Sequence, residues 1–257
     1  MNPKPIVSLC MTSGLQENLF NRDARKQLEE YCQVLSWVPE QGILNTSTDI
    51  LLASWGAPQF DAEFLKAVPN LKMIAYAAGT VKKIVTDDFW AKDIPITSAA
   101  AANAVAVAEY TVSAMVFMAK NIRHGSEQYA SDDKQKFVAL RDMPRGFNGL
   151  NVGIVGASHV GREVIRLLKS YNVQVAVYDP YLSKEEATTL AVQKMELNDF
   201  MAWSDVVSVH APKLPETTHL IGREQLSIMK KGSFFINTAR GTIVDYEALV
   251  EITPQNN

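Results

Sequence analysis

The stretch Asn151-VGIVGASHVGREVIRLLKSYNVQVAVY-Asp179 changes its hydrophobic period at a single glycine. Ahead of Gly156, Val152, Ile154 and Val155 form an apolar run. Beyond it, Val160, Val164, Ile165, Leu168 and Tyr171 recur at helical spacing, so a strand turns into a helix at that point. A second strand, Val175 to Tyr178, follows and ends in Asp179. A strand, glycine corner, helix and strand closing on an acid form the unit that holds a dinucleotide. The first glycine makes the tight turn, the second lets backbone approach the pyrophosphate, and the third lets helix pack on strand. Those positions are Gly156, Ser158 and Gly161. Ser158 departs from the fingerprint, and its side chain is expected to intrude where backbone should come closest. His159 and Val160 open the helix, whose free N–H groups and positive dipole end suit a pyrophosphate. Asp179 lies eighteen residues past Gly161, between Tyr178 and Pro180, where a carboxylate accepts ribose hydroxyls. A carboxylate there favours NAD over NADP, because a 2′-phosphate would meet like charge. The alternative is a merely structural strand-to-helix turn.

Composition narrows the class. A chain of 257 residues leads to an expectation of two domains. The net charge of −3 and the absence of a long basic run argue against a nucleic-acid partner. Cys10 and Cys32 are isolated, with neither C-x-x-C spacing nor a histidine cluster, so no disulfide framework and no metal site is expected. Met1 to Cys10 is too short an apolar run for a signal peptide, and a cytoplasmic protein is the expectation. The run Ala99 to Ala119 is apolar but interrupted by Asn103, Glu109, Thr111 and Ser113. It reads as a buried helix rather than a membrane span, and no membrane partner is expected.

Strands alternate with helices along the chain, which predicts parallel sheets covered on both faces. Expected strands in the first half are Pro5 to Leu9, Val34 to Val38, Ile50 to Ser54, Met73 to Ala77 and Pro95 to Ser98. Those in the second half are Val152 to Gly156, Val173 to Tyr178, Val206 to His210 and Ser233 to Asn237. Asp61 is placed to cap a helix Ala62 to Val68, with Phe60 and Leu65 as a staple and Pro69 as its stop. One long helix is expected from about Asn103 to Arg123. The domain boundary is placed at its start, giving 1–102 and 103–257.

The sequence becomes specific at Asn237-Thr238-Ala239-Arg240-Gly241, followed by Val244-Asp245-x-x-Ala248-Leu249. Further motifs are Ser208-Val209-His210-Ala211-Pro212 with Pro215-Glu216-Thr217, Leu197-x-x-Phe200 before Ser204-Asp205-Val206-Val207, and Asn103 with Val107-Ala108-Glu109. Together they resemble the D-isomer-specific 2-hydroxyacid dehydrogenases, a family that includes phosphoglycerate and glyoxylate or hydroxypyruvate reductases. The resemblance implies an α/β fold with a flavodoxin-like substrate (catalytic) domain and a Rossmann-type NAD-binding domain, both with parallel sheets. It implies NAD as cofactor and a small 2-keto or 2-hydroxy acid as substrate.

Carried onto this sequence, the resemblance gives Arg240 the carboxylate and carbonyl oxygen of the acid. A guanidinium suits that task because its planar fork makes paired, charge-assisted bonds and keeps its proton. The loop Ala78, Gly79, Thr80 and Val81 would offer N–H groups to the carboxylate, with Asn103 nearby. It departs from the family's usual glycine-then-Asp-Asn wording by carrying Lys82 and Lys83, and an ordinary strand-to-helix turn is the competing reading. His210, Ala211, Pro212, Thr217, Thr238 and Ala239 are expected to line the cofactor cleft. His210 is expected to be a packed pocket residue rather than a proton donor. Homodimerisation is the family's habit, and the apolar helix after Asn103 serves equally as interface or as core.

One element of the family pattern is not found. The resemblance implies a glutamate and a proton-donating histidine well after the arginine, yet the four histidines, His124, His159, His210 and His219, all precede Arg240. Glu251 falls in the helix that precedes those motifs. The sequence stops seventeen residues after Arg240, and Thr253-Pro254-Gln255-Asn256-Asn257 would halt a helix capped by Asp245. The expectation is a NAD-binding domain incomplete at its C-terminal end, with Phe234, Phe235 and Ile236 left on a sheet edge. Three readings stay open: a NAD-dependent 2-keto acid reductase, a catalytically impaired NAD-binding module, and a remnant with neither role.

Overall fold

The computed structural model describes residues 3–37, 39, 45–130 and 146–253. Val38, the expected end of the second strand, and Pro254 to Asn257 lie outside them. The chain divides into two compact units, Met1–Asn103 and Ala104–Asn257.

In the first unit the strands are β1 (Ile6–Cys10), β2 (Gln33–Trp37), β3 (Ile50–Ala53), β4 (Met73–Tyr76) and β5 (Ile96–Ser98). They pair in parallel in the order β2-β1-β3-β4-β5, the flavodoxin-like arrangement. Its helices are α1 (Leu15–Leu19), α2 (Arg22–Tyr31), α3 (Ala62–Ala67) and α4 (Asp87–Trp90). Asp61 accepts the Phe64 N–H at 2.9 Å and so starts α3. The core around Leu51, Ala53 and Ile74 is filled by Phe60, Phe64 and Phe89, with Phe60 and Phe64 ring centroids 5.0 Å apart.

The helix expected from Asn103 to Arg123 is two helices, α5 (Ala100–Ala119) and α6 (Ile122–Ala130). The break is at Asn121, whose φ of 52° is left-handed and which a helix interior does not accept. α5 is long and apolar enough by length and composition to cross a membrane, despite the polar residues that interrupt the run. Its packing decides otherwise for one face, since Ala108, Val112, Met115 and Ala119 sit in the core of the second unit. Burial is confined to that stripe, and Tyr110 and Phe117 on the same helix are exposed.

The second unit carries β6 (Asn151–Val155), α7 (His159–Leu168), β7 (Gln174–Tyr178), α8 (Lys184–Leu190), β8 (Gln193–Lys194), α9 (Leu197–Trp203), β9 (Val206–Val209), α10 (Arg223–Ser227), β10 (Phe234–Asn237) and α11 (Tyr246–Ile252). The strands pair in parallel as β10-β9-β6-β7-β8. Renumbered within the unit that is the 3-2-1-4-5 order of a dinucleotide-binding sheet. Two apolar clusters cover the sheet. One joins Val152, Ile154 and Val206 to α5 and α7, and the other joins Val155, Val207 and Val209 to α9, α10 and α11. Two expectations fail locally. Tyr171 lies beyond the end of α7, edge-on to Phe147 at 5.2 Å, and the two-residue β8 was not anticipated. A pair so short, with both side chains exposed, carries no period to read.

The two sheets are pinned alike. Asp49, just before β3, accepts the Ile6 N–H at 2.9 Å and pairs with Lys72 at 2.8 Å. Asp205, just before β9, accepts the Asn151 N–H at 2.8 Å and pairs with Lys230 at 2.9 Å. The Ile6 N–H foremost, with Lys72, holds the Asp49 carboxyl below its ordinary pKa.

Gly153 in β6 faces α9 so closely that a Cβ would overlap Ser204 Oγ and the Phe200 ring. Phe200 and Ser204 are fully buried and cannot swing aside. Gly153→Ala is therefore expected to cost about 2 kcal/mol, the range of core overpacking. An unchanged urea midpoint would contradict this close packing.

Candidate functional site

At the carboxyl end of β6 the chain turns through Gly156 at φ 92°. A Cβ there would stand 2.8 Å from Ala211 Cα and N, at the end of neighbouring β9. The helix after β6 packs on one face of the sheet and the helix after β9 on the other. This is the point where strand order reverses, and the crevice beside it is where open α/β sheets take ligands. Gly161 is equally constrained, because a Cβ would overlap Gly156 O.

Ser158 does not intrude as expected. With φ −66° it needs no glycine, and it caps α7, its Oγ accepting the Gly161 N–H at 3.3 Å. The same hydroxyl donates to His210 O at 2.8 Å, so it is turned into the protein. The N–H groups of Ser158, His159 and Val160 have no acceptor among the described residues, leaving three consecutive donors at a helix start. His159 is exposed beside them.

Asp179 reaches back to this turn. Its Oδ2 accepts the Ala157 N–H at 2.7 Å and its Oδ1 the Tyr181 N–H at 2.8 Å. Two oxygens offer about four acceptor positions, so the carboxylate keeps capacity for further donors. Arg162 holds the next peptide of the same turn, donating to Ala157 O at 2.9 Å and to Glu186 at 2.7 Å. Tyr178 is half-buried and Pro180 exposed on either side of Asp179.

The ends of β9 and β10 carry the remaining candidates of this unit. Thr217 closes the loop after Pro212 by donating to Pro212 O at 2.7 Å. Asn237 shapes the turn after β10, accepting the Ala239 N–H at 3.0 Å and donating to Arg240 O at 3.1 Å. Arg240 is exposed and makes no ion pair among the described residues; among them the one hydrogen bond of its guanidinium is to Ala239 O at 2.8 Å. A guanidinium unpaired in this way is available to an anion. Thr238 points inward and meets Thr111 Oγ1 of α5 at 3.3 Å and His210 Nδ1 at 3.3 Å. Arg162, Asn237, Ser208 and Thr111 were not picked out as site residues. Thr111 had a visible signal, a polar side chain within an apolar helix.

In the first unit, Ala78 is buried, and Gly79 and Thr80 are exposed in the loop after β4. The N–H groups of Gly79, Thr80 and Val81 have no acceptor among the described residues. Thr80 Oγ1 accepts the Lys82 N–H at 3.4 Å, which bends the loop. A Cβ on Gly79 would lie 4.0 Å from Asn103 Nδ2, so these two residues neighbour each other. Among the described residues no cluster of metal-ligating side chains occurs.

His210 is 4% exposed. Burial pushes its pKa down to about 4, so the ring is neutral at pH 7. The unfolded chain takes up this proton near pH 6.5, whereas the folded chain does so only near pH 4. The stabilisation is therefore complete above about pH 6.5 and falls away as pH drops to about 4, a loss on the order of 3 kcal/mol. Urea midpoints at pH 7 and pH 4.5 should fall further for the wild type than for His210→Asn; equal falls would contradict the burial.

The geometry has counterparts in known proteins. Residues 112–257 match the family model described as D-isomer specific 2-hydroxyacid dehydrogenase, NAD binding domain. The D-3-phosphoglycerate dehydrogenase of Methanocaldococcus jannaschii is 28% identical over 253 residues, covering 96% of this chain and 46% of that protein. The glyoxylate reductase of Thermofilum pendens is 30% identical over 239 residues, covering 87% of this chain and 69% of that one. The chain thus spans less than half the length of its phosphoglycerate dehydrogenase relatives from M. jannaschii and Archaeoglobus fulgidus. The fold is shared with the NAD-complexed D-isomer specific 2-hydroxyacid dehydrogenase of Lactobacillus delbrueckii ssp. bulgaricus, at TM-score 0.76 and 21% identity over 96% of this chain and 74% of that one. With its family model matched over more than half its length, the chain belongs to the D-isomer specific 2-hydroxyacid dehydrogenase family.

Proposed function

We propose that the chain is a NAD-dependent oxidoreductase acting on the CH–OH group of a small 2-hydroxy acid, and that it reduces the corresponding 2-keto acid. The observation that carries this reading is the unpaired Arg240 guanidinium at the end of β10, one strand from the Gly156 turn across β9. Unit 104–257 holds the dinucleotide, and unit 1–103 carries a candidate anion contact of its own. In the first, the free N–H groups of Ser158, His159 and Val160 take the pyrophosphate, Gly156 and Gly161 keep the turn close, and Asp179 accepts ribose hydroxyls. The ends of β9 and β10, at Ala211, Pro212, Thr217, Thr238 and Ala239, line the rest. In the second, the N–H groups of Gly79, Thr80 and Val81, with Asn103 beside them, suit a carboxylate, whereas the Ala78 N–H is taken by Tyr76 O at 2.9 Å.

NAD, when bound, supplies the hydride exchanged with C2 of the acid. Arg240 binds the carboxylate and keto oxygen in paired, charge-assisted contacts, which orients C2 and stabilises negative charge that develops on that oxygen. His210 does not serve as proton donor, because it is buried, neutral and engaged at both ring nitrogens. A second reading is binding of NAD and acid with little turnover, because a positioned general acid is worth about 10²- to 10⁴-fold in rate and His210 does not supply one. The exposed side of α5 and α6, with Tyr110, Phe117, Ile122 and Tyr129, is the surface we assign to a homodimer.

A thermal melt separates these readings from a chain that does not bind. NADH at a hundred times its dissociation constant adds about 2.7 kcal/mol if it binds only the folded state. A clear rise is expected with NADH and a smaller one with NADPH; no rise with either would overturn the dinucleotide assignment. NADH oxidation on adding glyoxylate then distinguishes turnover from binding alone. Asp179→Ala should weaken NADH binding and also lower stability by about 1–3 kcal/mol, because the Ala157 and Tyr181 N–H groups lose their acceptor. Unchanged NADH affinity in that variant would remove Asp179 from the ribose.

A further inference from the structure

Behind the Arg240 turn runs a line of hydroxyls and one imidazole, joining residues far apart in sequence. Thr111 Oγ1 lies 2.8 Å from Val107 O, one helical turn back in α5. It lies 3.3 Å from Thr238 Oγ1, which lies 3.3 Å from His210 Nδ1. His210 Nε2 is 2.9 Å from Ser208 Oγ. Thr111, Ser208 and His210 are buried, so each bond counts and an unmatched donor would be costly.

The direction of every bond follows from one fixed end. Val107 O can only accept, so the Thr111 hydroxyl proton is committed to it. Thr111 Oγ1 must then accept from Thr238, which commits the Thr238 proton as well. Thr238 Oγ1 has only lone pairs left for the imidazole, so Nδ1 carries the proton and donates. Nε2 is bare and accepts from Ser208. Both ring nitrogens face hydroxyls, with no carboxylate to stabilise a second proton.

We propose that His210 is a positioning residue for substrate binding, locked as the Nδ1–H tautomer, whose hydrogen bond to Thr238 fixes the turn that presents Arg240. Thr238 stands two residues before Arg240, in a turn that Asn237 braces from within. His210 and Thr111 brace it from behind. The His210 backbone also anchors the other half of the site, its carbonyl accepting from Ser158 and its N–H donating to Val155 O at 2.8 Å. One residue therefore holds the turn at the helix start and the turn at the arginine in register. The tautomer stands on the hydrogen bonds alone; the effect on substrate rests on the role given above to Arg240.

The experiment is NMR on the full chain with ¹⁵N-labelled histidine. At pH 7 the His210 ring should show a protonated Nδ1 and a bare Nε2; the reverse pattern, or rapid exchange between the two, would overturn the proposal. His210→Asn places an amide N–H near the Nδ1 position, whereas His210→Gln places its amide near Nε2. The Ala239 and Arg240 amide resonances should stay near their wild-type positions in His210→Asn and move in His210→Gln. Thr111→Val, a near-isosteric change away from the Arg240 turn itself, should also move them. Unmoved resonances in both His210→Gln and Thr111→Val would overturn the positioning role. With NADH present, glyoxylate binding should weaken roughly tenfold in His210→Gln and Thr111→Val, as displaced positioning groups do, with recovery in His210→Asn. If glyoxylate fails to bind the wild type, the substrate reading fails, and the ring and amide resonances still decide the tautomer and the brace.

Discussion

Two backbones meet at the carboxyl ends of β6 and β9 without a side chain between them, and the second unit is arranged around that approach. Gly156 leaves β6 at φ 92° with Ala211 so near that no Cβ fits. Gly161 then lets α7 settle onto the Gly156 carbonyl. The helix start is thereby fixed against the strand end, with its first N–H groups free. Asp179 and Arg162 hold the two peptides on either side of the Ala157 Cα, so the turn is held by charge-assisted bonds as well as by shape. A dinucleotide site needs that rigidity because its donors are backbone groups, which cannot adjust as side chains do.

Much of this was legible in the sequence because it depends on local period and on glycine. The strand-to-helix switch at Gly156, the acid at Asp179 and the alternation that makes two parallel sheets all have short-range causes. The strands around Val7, Leu51, Ile74, Val152 and Val207 lie where apolar runs put them. The failures are also physical. Ser158 reads as an intruder when counted against a glycine fingerprint, yet serine is among the preferred helix caps, and its φ is ordinary. Asn121 ends α5 by a left-handed backbone that no apolar pattern records. Tyr171 matched the helical spacing but lies beyond α7, where a tight turn leads into β7.

Contacts of long range were the least readable. The line from Thr111 to Thr238 spans 127 residues, and nothing local to either threonine announces the other. Asp49 and Asp205 form a second such pattern, since each joins the first strand of its sheet to a lysine ahead of the next strand. Each unit thus has its own apolar core and its own electrostatic pin, and the chemistry is added in the loops at the carboxyl ends of the strands. There the sequence offered residue types, and the fold supplied which of them stand together.

The most direct test of this account is to titrate NADH into ¹⁵N-labelled protein and follow the backbone amides. The account predicts that Ser158, His159, Val160 and Asp179 move first and furthest, followed by Ala211 and Ala239. Movement centred instead on the groove of about 320 Å³ lined by Leu168, Lys169, Val173, Leu190 and Trp203 would contradict it, as would no movement at all.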